Sequence, residues 1–300
     1  MTVREILAHQ AGLEPYIVFL NDVIKKNGIF KSRFIKHEKS KRFPVQTYEN
    51  LYLNKRFVRK MYRKINRSPV SDIKKYKYSG LSFLLFPKII ENLTGVSYEK
   101  YVHDNFYKPL GANTFMFNPA AHNFPKEKIV PTEEDSIYRK NYVQGWVHDE
   151  NASLMGGVSG NAGLFATAED LAKLMQMYMN MGVYGGKRYI STRTLREFTK
   201  VQYPLNDNKR GLGFDKPLLN NQSLDIDQAS PAPEASMNSF GHSGFTGTYV
   251  WADPDNELVF IFLSNRVYPT RKNTGLYDLH IRPSLMQVFY QEESSNAISN

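Results

Sequence analysis

Residues 241–266, GHSGFTGTYVWADPDNELVFIFLSNR, read as two strands joined by a tight turn. Thr248 to Ala252 and Leu258 to Leu263 are rich in β-branched and aromatic residues, and Asp253-Pro254-Asp255-Asn256 between them is turn chemistry. An antiparallel hairpin follows. The run LVFIFL at 258–263 has no polar face, so it is expected as a central strand covered by helices on both sides. Trp251 is expected in the core, and a helical stretch over Ser284 to Phe289 is expected to pack on the sheet.

Toward the N-terminus the pattern becomes helical. Thr167 with Asp170 three residues on forms a capping signal ahead of Leu171, Leu174, Met175 and Tyr178, and Gly182 stops the run. Met175, Met177 and Met179 read as core filling. Leu81, Leu84, Leu85, Ile89 and Leu93 also follow helical spacing, closed by Thr94-Gly95. Pro87 sits inside that run, where an interior proline costs roughly 3 kcal/mol, so a kink or a helix in two pieces is expected. Residues 2–8, TVREILA, form a short helix capped by Thr2 and Glu5, and HQAGL at 9–13 turns the chain away through a glycine. Helices first, then adjacent antiparallel strands, then a terminal helix define an α+β domain.

Composition bounds the rest. The 300 residues, 41% hydrophobic, suit one compact unit, expected over 1–292 with a disordered tail at 293–300. No run is apolar and long enough to span a membrane, and the N-terminus shows no signal core, so no membrane span is expected. Localisation stays open: the periplasm or cell envelope if the whole protein carries a signal peptide. The absence of cysteine excludes disulfides, thiolate metal sites and cysteine nucleophiles. Seven scattered histidines give no metal-ligand spacing, and no cofactor is implied. The net charge of +10 concentrates between Lys25 and Lys77, read as a solvated basic insertion over about 20–77. No nucleic-acid motif accompanies it, and no nucleic-acid partner is expected.

Two short motifs stand where a site would: Tyr78-Ser79-Gly80 before a helix and His242-Ser243-Gly244 before a strand. In this order, with HQAGLEPY at 9–16, VHDENASLMGGVSGNAGLFATAEDLAKLMQMY at 147–178 and RGLGF at 210–214, they resemble the serine β-lactamase and penicillin-binding-protein family, class C-related. The resemblance covers roughly 2–290 and is nearest to the serine-hydrolase domains fused behind family 3 glycoside hydrolases in Bacteroidetes-type bacteria. It implies a β-lactamase/DD-peptidase-like fold, an acyl-serine mechanism of esterase, peptidase or amidase type, a small-molecule or peptidoglycan-derived substrate, and an upstream glycoside hydrolase domain.

It also implies roles. A serine hydroxyl attacks only when a base takes its proton. Tyr78 would be that base or a relay, with His242 as its partner. Ser243 and Gly244 would face the substrate, Gly244 leaving it room, and the Phe245 N–H would donate to the oxyanion. His148, Asn151 and Asn161, in the glycine-rich stretch, stay outside the catalytic set, since turn capping explains them equally.

Four features depart from the family pattern. The Ser-x-x-Lys nucleophile should precede the HQAGL loop by a few tens of residues, so it is expected upstream, and the chain by itself is expected to be inactive. Ser71 with Lys74 matches the motif out of place and is the alternative nucleophile; Ser97 with Lys100 is a second chance match. Gly80 stands where the family has asparagine or another polar residue, and His242 where it often has lysine, which points toward esterase- or peptidase-like members. The strands that would complete the sheet are missing, and an unpaired edge is expected. The competing reading is a non-catalytic module that keeps the cleft and binds polyanions or cell wall through its basic insertion. An α/β-hydrolase is excluded, because no Gly-x-Ser-x-Gly is complete.

Overall fold

A computed structural model describes the backbone of residues 1–298 and the side chains of residues 1–292; the tail expected at 293–300 lies outside these fully described residues. The chain opens with helix α1 (Val3–Leu7), capped as expected: Thr2 Oγ1 accepts from the Glu5 N–H, and Glu5 accepts in return from the Thr2 N–H.

The basic stretch that follows does not form a solvated loop. It folds into strands β1 (Ile35–Lys36), β2 (Val45–Tyr48) and β3 (Leu51–Leu53), with β3 in the middle, and helix α2 (Lys55–Asn66). Phe57, Met61 and Ile65, spaced four apart, bury one face of α2, while Lys60 and Lys64 reach Asp22 at 3.2 and 2.6 Å. With Phe19, Val23, Ile35, Tyr48 and Leu53 these residues make up much of the largest core. The stretch is amphipathic, with its lysines at the surface and its apolar side chains in the core.

Next, Pro87 divides its helix as expected. A 3₁₀ turn over Ser82–Leu85 precedes α3 (Phe86–Thr94), and the proline falls in the first turn of α3, where its missing N–H leaves no bond unmade. Leu81 and Leu84 are buried, whereas Leu93 is 77% exposed, so the apolar spacing marks the core only over its first half. Strands β4 (Pro131–Asp135) and β5 (Asn141–Gln144) form a hairpin leading to helix α4 (Glu150–Leu154), and α5 (Ala168–Met179) follows. Thr167 caps α5, but Asp170 does not close the box; its carboxylate turns outward to Thr114 and Lys173.

The last sheet is the hairpin read from the sequence plus one strand: β6 (Phe240–Ser243), β7 (Tyr249–Asp253) and β8 (Leu258–Phe262), antiparallel, with β7 in the middle. Met175 of α5 packs against Phe240 and Ala252 on one face. Met286 and Tyr290 of α6 (Ile281–Ile298) pack against Tyr249, Trp251 and Phe260 on the other. The helices thus cover both faces, as LVFIFL suggested, but β8 is an outer strand. Among the described residues its far edge pairs with no strand, which is the unpaired edge the sequence led us to expect and the reason the run is half-buried and not central. The hairpin turn is held by Asp253, fully buried, which accepts from the Ser236 N–H and hydroxyl, Asn256 Nδ2 and the Tyr290 hydroxyl. Among the described residues no helix is long and apolar enough to cross a membrane.

Candidate active site

His9 forms the floor of the candidate site. It follows α1 with a left-handed φ of 54°, unusual for a side-chain-bearing residue, and its ring is buried. The Ser79 N–H donates to His9 Nδ1 at 3.2 Å, so the ring proton sits on Nε2. Arg210 Nη2, itself only a donor, lies 3.4 Å from that Nε2. Burial, the Arg210 charge and His242 push the His9 pKa down to about 3, and the imidazole is neutral. Ser79 donates its hydroxyl to the Glu14 carbonyl at 2.6 Å, so this serine is an orienting residue, not an exposed nucleophile.

Between these anchors, Tyr78 stands half-exposed. Its ring centroid is 4.3 Å from that of His9 and 6.3 Å from that of His242, and the Arg210 guanidinium carbon lies 5.8 Å from its centre. Burial pushes the phenol pKa up and Arg210 pulls it back, with a net rise, so Tyr78 is a neutral hydroxyl at neutral pH. On β6, His242 Nδ1 is 2.8 Å from the Ser243 carbonyl. A carbonyl only accepts, so Nδ1 carries the proton and Nε2 keeps its lone pair. Burial, followed by the Arg210 charge, holds the His242 pKa below its ordinary value.

The turn after His242 is tight. The Gly244 N–H donates to the Thr248 carbonyl at 2.7 Å, and a side chain at Gly244 would collide with Thr248 Oγ1. The absent side chain lets the turn close around Thr248. Phe245 is 59% exposed at the tip, its ring between His148 at 5.4 Å and the Arg266 guanidinium at 4.6 Å. The Phe245 N–H has no hydrogen-bond acceptor among the described residues.

The alternative nucleophile is placed differently. Ser71 Oγ exchanges hydrogen bonds with the backbone of Ile73 at 3.2 Å, and Lys74 Nζ is 2.6 Å from Glu5, so this serine and lysine are engaged apart from each other. Neither makes a contact with Tyr78 among the described residues. Lys100 of the second match pairs with Asp104.

Sequence reasoning missed His9, Arg210 and Asp215 as members of this cluster. Arg210 is 2% exposed, with Nη1 3.3 Å from Asp215 Oδ1, and Asp215 exchanges backbone hydrogen bonds with Gly241 beside His242. The available signals were the RGLGF segment at 210–214 and the HQAGLEPY segment at 9–16. Asn161, left outside the catalytic set, does approach: its Nδ2 lies 4.0 Å from where a Gly80 side chain would begin. His148 Nε2 faces Glu133 at 3.3 Å in a buried network with Arg139 and Arg271, whereas Asn151 donates to the Ile17 carbonyl and is structural. Among the described residues no group of acidic, histidine or cysteine side chains is arranged to hold a metal.

Residues 1–281 match the family model described as Beta-lactamase. The chain belongs to the Beta-lactamase family. Among curated relatives, an inferred D-alanyl-D-alanine carboxypeptidase of Escherichia coli O157:H7 is 32% identical over 284 residues, covering 86% of this chain and 63% of that protein. A protein of the same description from Salmonella enteritidis is 36% identical over 207 residues, covering 64% of this chain and 45% of its own length. The chain therefore spans about half to just under two thirds of these relatives. Among solved structures, a beta-lactamase from Mycobacterium bovis superposes with a TM-score of 0.54 at 17% identity, over 97% of this chain and 74% of that one. A penicillin-binding-protein homologue from Caulobacter crescentus gives 0.54 at 17% identity, over 88% and 65%. These two likenesses establish the α+β β-lactamase and penicillin-binding-protein fold, and the family is one of serine hydrolases that includes cell-wall-related peptidases.

Proposed function

We propose that this chain is the larger part of a hydrolase domain that cleaves D-amino-acid-containing cell-wall peptides through an acyl-serine intermediate, with the nucleophilic serine on a segment preceding residue 1 in the whole protein. The observation that carries the reading is the placement of Tyr78 and His242, from the two family motifs, 6.3 Å apart between ring centres, with His242 Nε2 free to accept. Tyr78 takes the serine proton as its own hydroxyl proton passes toward His242 Nε2, directly or through one water. The proton then goes to the leaving amine, and water cleaves the acyl-serine ester. The Phe245 N–H donates to the oxyanion. The class C-related resemblance and the arrangement behind a family 3 glycoside hydrolase domain belong to this proposal; the curated relatives support the peptide substrate through their description alone.

The test is labelling of the whole protein with a fluorophosphonate serine probe, followed by peptide mapping and assay of D-alanine release from a D-alanyl-D-alanine peptide. A labelled serine in a Ser-x-x-Lys sequence upstream, with Tyr78→Phe lowering turnover by about 10²-fold or more, is the expected result. Labelling at Ser71 instead would move the nucleophile into this chain and overturn the upstream assignment.

A further inference from the structure

Arg210 opens the RGLGF segment and has no part in the proton transfer described above, yet it lies among the side chains of the site. It is a buried cation with three neighbours: Asp215 at 3.3 Å, His9 Nε2 at 3.4 Å and the Tyr78 ring at 5.8 Å from its guanidinium carbon. Its Nε has no partner in the structure, so the guanidinium is not fully spent on bonding. The carboxylate that balances it is shared, because Lys209 Nζ also lies 3.4 Å from Asp215 Oδ1. Lys209 and Arg210 thus share one carboxylate oxygen, so Asp215 neutralises the guanidinium only in part.

We propose that Arg210 is a positioning residue for proton transfer, whose guanidinium, pinned by Asp215 beneath Tyr78, stabilises negative charge on the Tyr78 oxygen. The other titratable groups facing Tyr78 act as follows. His9 is neutral and supplies a floor without charge. His242 is likewise held neutral by burial and Arg210. Tyr76, on the same segment, feels Arg210 as well. Asp149 and Asp215 oppose phenolate formation. Among the described residues, Arg210 is therefore a cation that favours the charged phenol, against the burial that disfavours it. A cation this close to the ring lowers the cost of charge on the phenol, and Asp215 returns part of that effect.

The test needs no turnover. 3,5-Difluorotyrosine placed at position 78 brings the phenol's titration within the stability range of the fold, and ¹⁹F NMR follows that single group against pH. Arg210→Met is expected to raise the Tyr78 midpoint by about one pH unit. Arg210→Lys should restore most of it, and Asp215→Asn should lower it. A purely structural role for Arg210 would leave the midpoint in place once melting temperature shows the fold retained, and that result overturns the proposal. If Arg210→Met does not fold, Arg210→Gln decides, since it keeps a polar side chain and removes the charge: a midpoint that does not rise is the overturning outcome. The meaning of the shift presupposes the proton-handling role given to Tyr78, but its measurement does not. A failed serine labelling with the shift intact would therefore remove the hydrolase reading and leave the electrostatic one.

Discussion

The rings of Tyr78 and His9 lie 4.3 Å apart, inclined at 34°, and the same histidine accepts the N–H of the residue that follows the tyrosine. One buried imidazole thus fixes both the ring and the backbone of the motif. His9→Ala removes an acceptor for a buried N–H and the floor of the tyrosine together, and should cost about 2–3 kcal/mol. Urea unfolding with an unchanged m-value is the measurement; a loss under 0.5 kcal/mol would show that Ser79 and Tyr78 hold themselves.

His242 gives a prediction in pH. Its neutral form is the one that accepts, and burial together with Arg210 keeps its pKa below the ordinary histidine value. The whole protein's turnover should therefore persist as pH falls through about 6.5 and decline only below it. An acid limb at or above the ordinary value would contradict the tautomer and charge assigned here.

The turn at Gly244 can be tested by stability alone. Gly244→Ala drives a methyl group into Thr248 Oγ1 and should destabilise by about 1–3 kcal/mol. Thr248→Ala in the same chain should return much of that. Equal melting temperatures for the single and double variants would show that the collision is relieved elsewhere.

Asp253 links stability to pH. Burial works against its charge, but the bonds from Ser236, Asn256 and Tyr290 outweigh it and hold the carboxyl below its usual value. A depressed folded pKa contributes stability that is present above the unfolded value, about 4, and lost as pH falls through the folded one. Asp253→Asn should be destabilised at pH 7 and should lose less further stability than the parent between pH 5 and pH 3. Parallel stability curves would refute this.

Much of this was legible because it is local. The caps at Thr2 and Thr167, the division at Pro87 and the hairpin through Asp253-Asn256 each rest on residues within a few positions of one another. Tyr78 and His242 were legible because each sits in a recognisable triplet. Arg210 and His9 stand in the quoted segments RGLGF and HQAGLEPY, but neither segment assigns them to the site, because they meet only once the fold brings together positions about 200 apart. The rank of LVFIFL was misread for a related reason: periodicity reports whether a strand is covered above and below, not whether it has neighbours on both edges.

The cross-chain stitching around His9 has a bearing on how the protein is made. Asn208 Nδ2 donates to the Ala8 carbonyl at 2.9 Å, a bond spanning 200 residues, and Gly213 donates to Leu7 nearby. Closing so long a loop is entropically costly, and folds dominated by such pairs assemble slowly. During synthesis the layer of β1 to β3 and α2 can consolidate early, while the floor, the tyrosine and the arginine must wait until residues past 210 have left the ribosome. The candidate site is thus among the last parts to form, and nascent chains stalled before that point should show protected amides in the first core and none around His9.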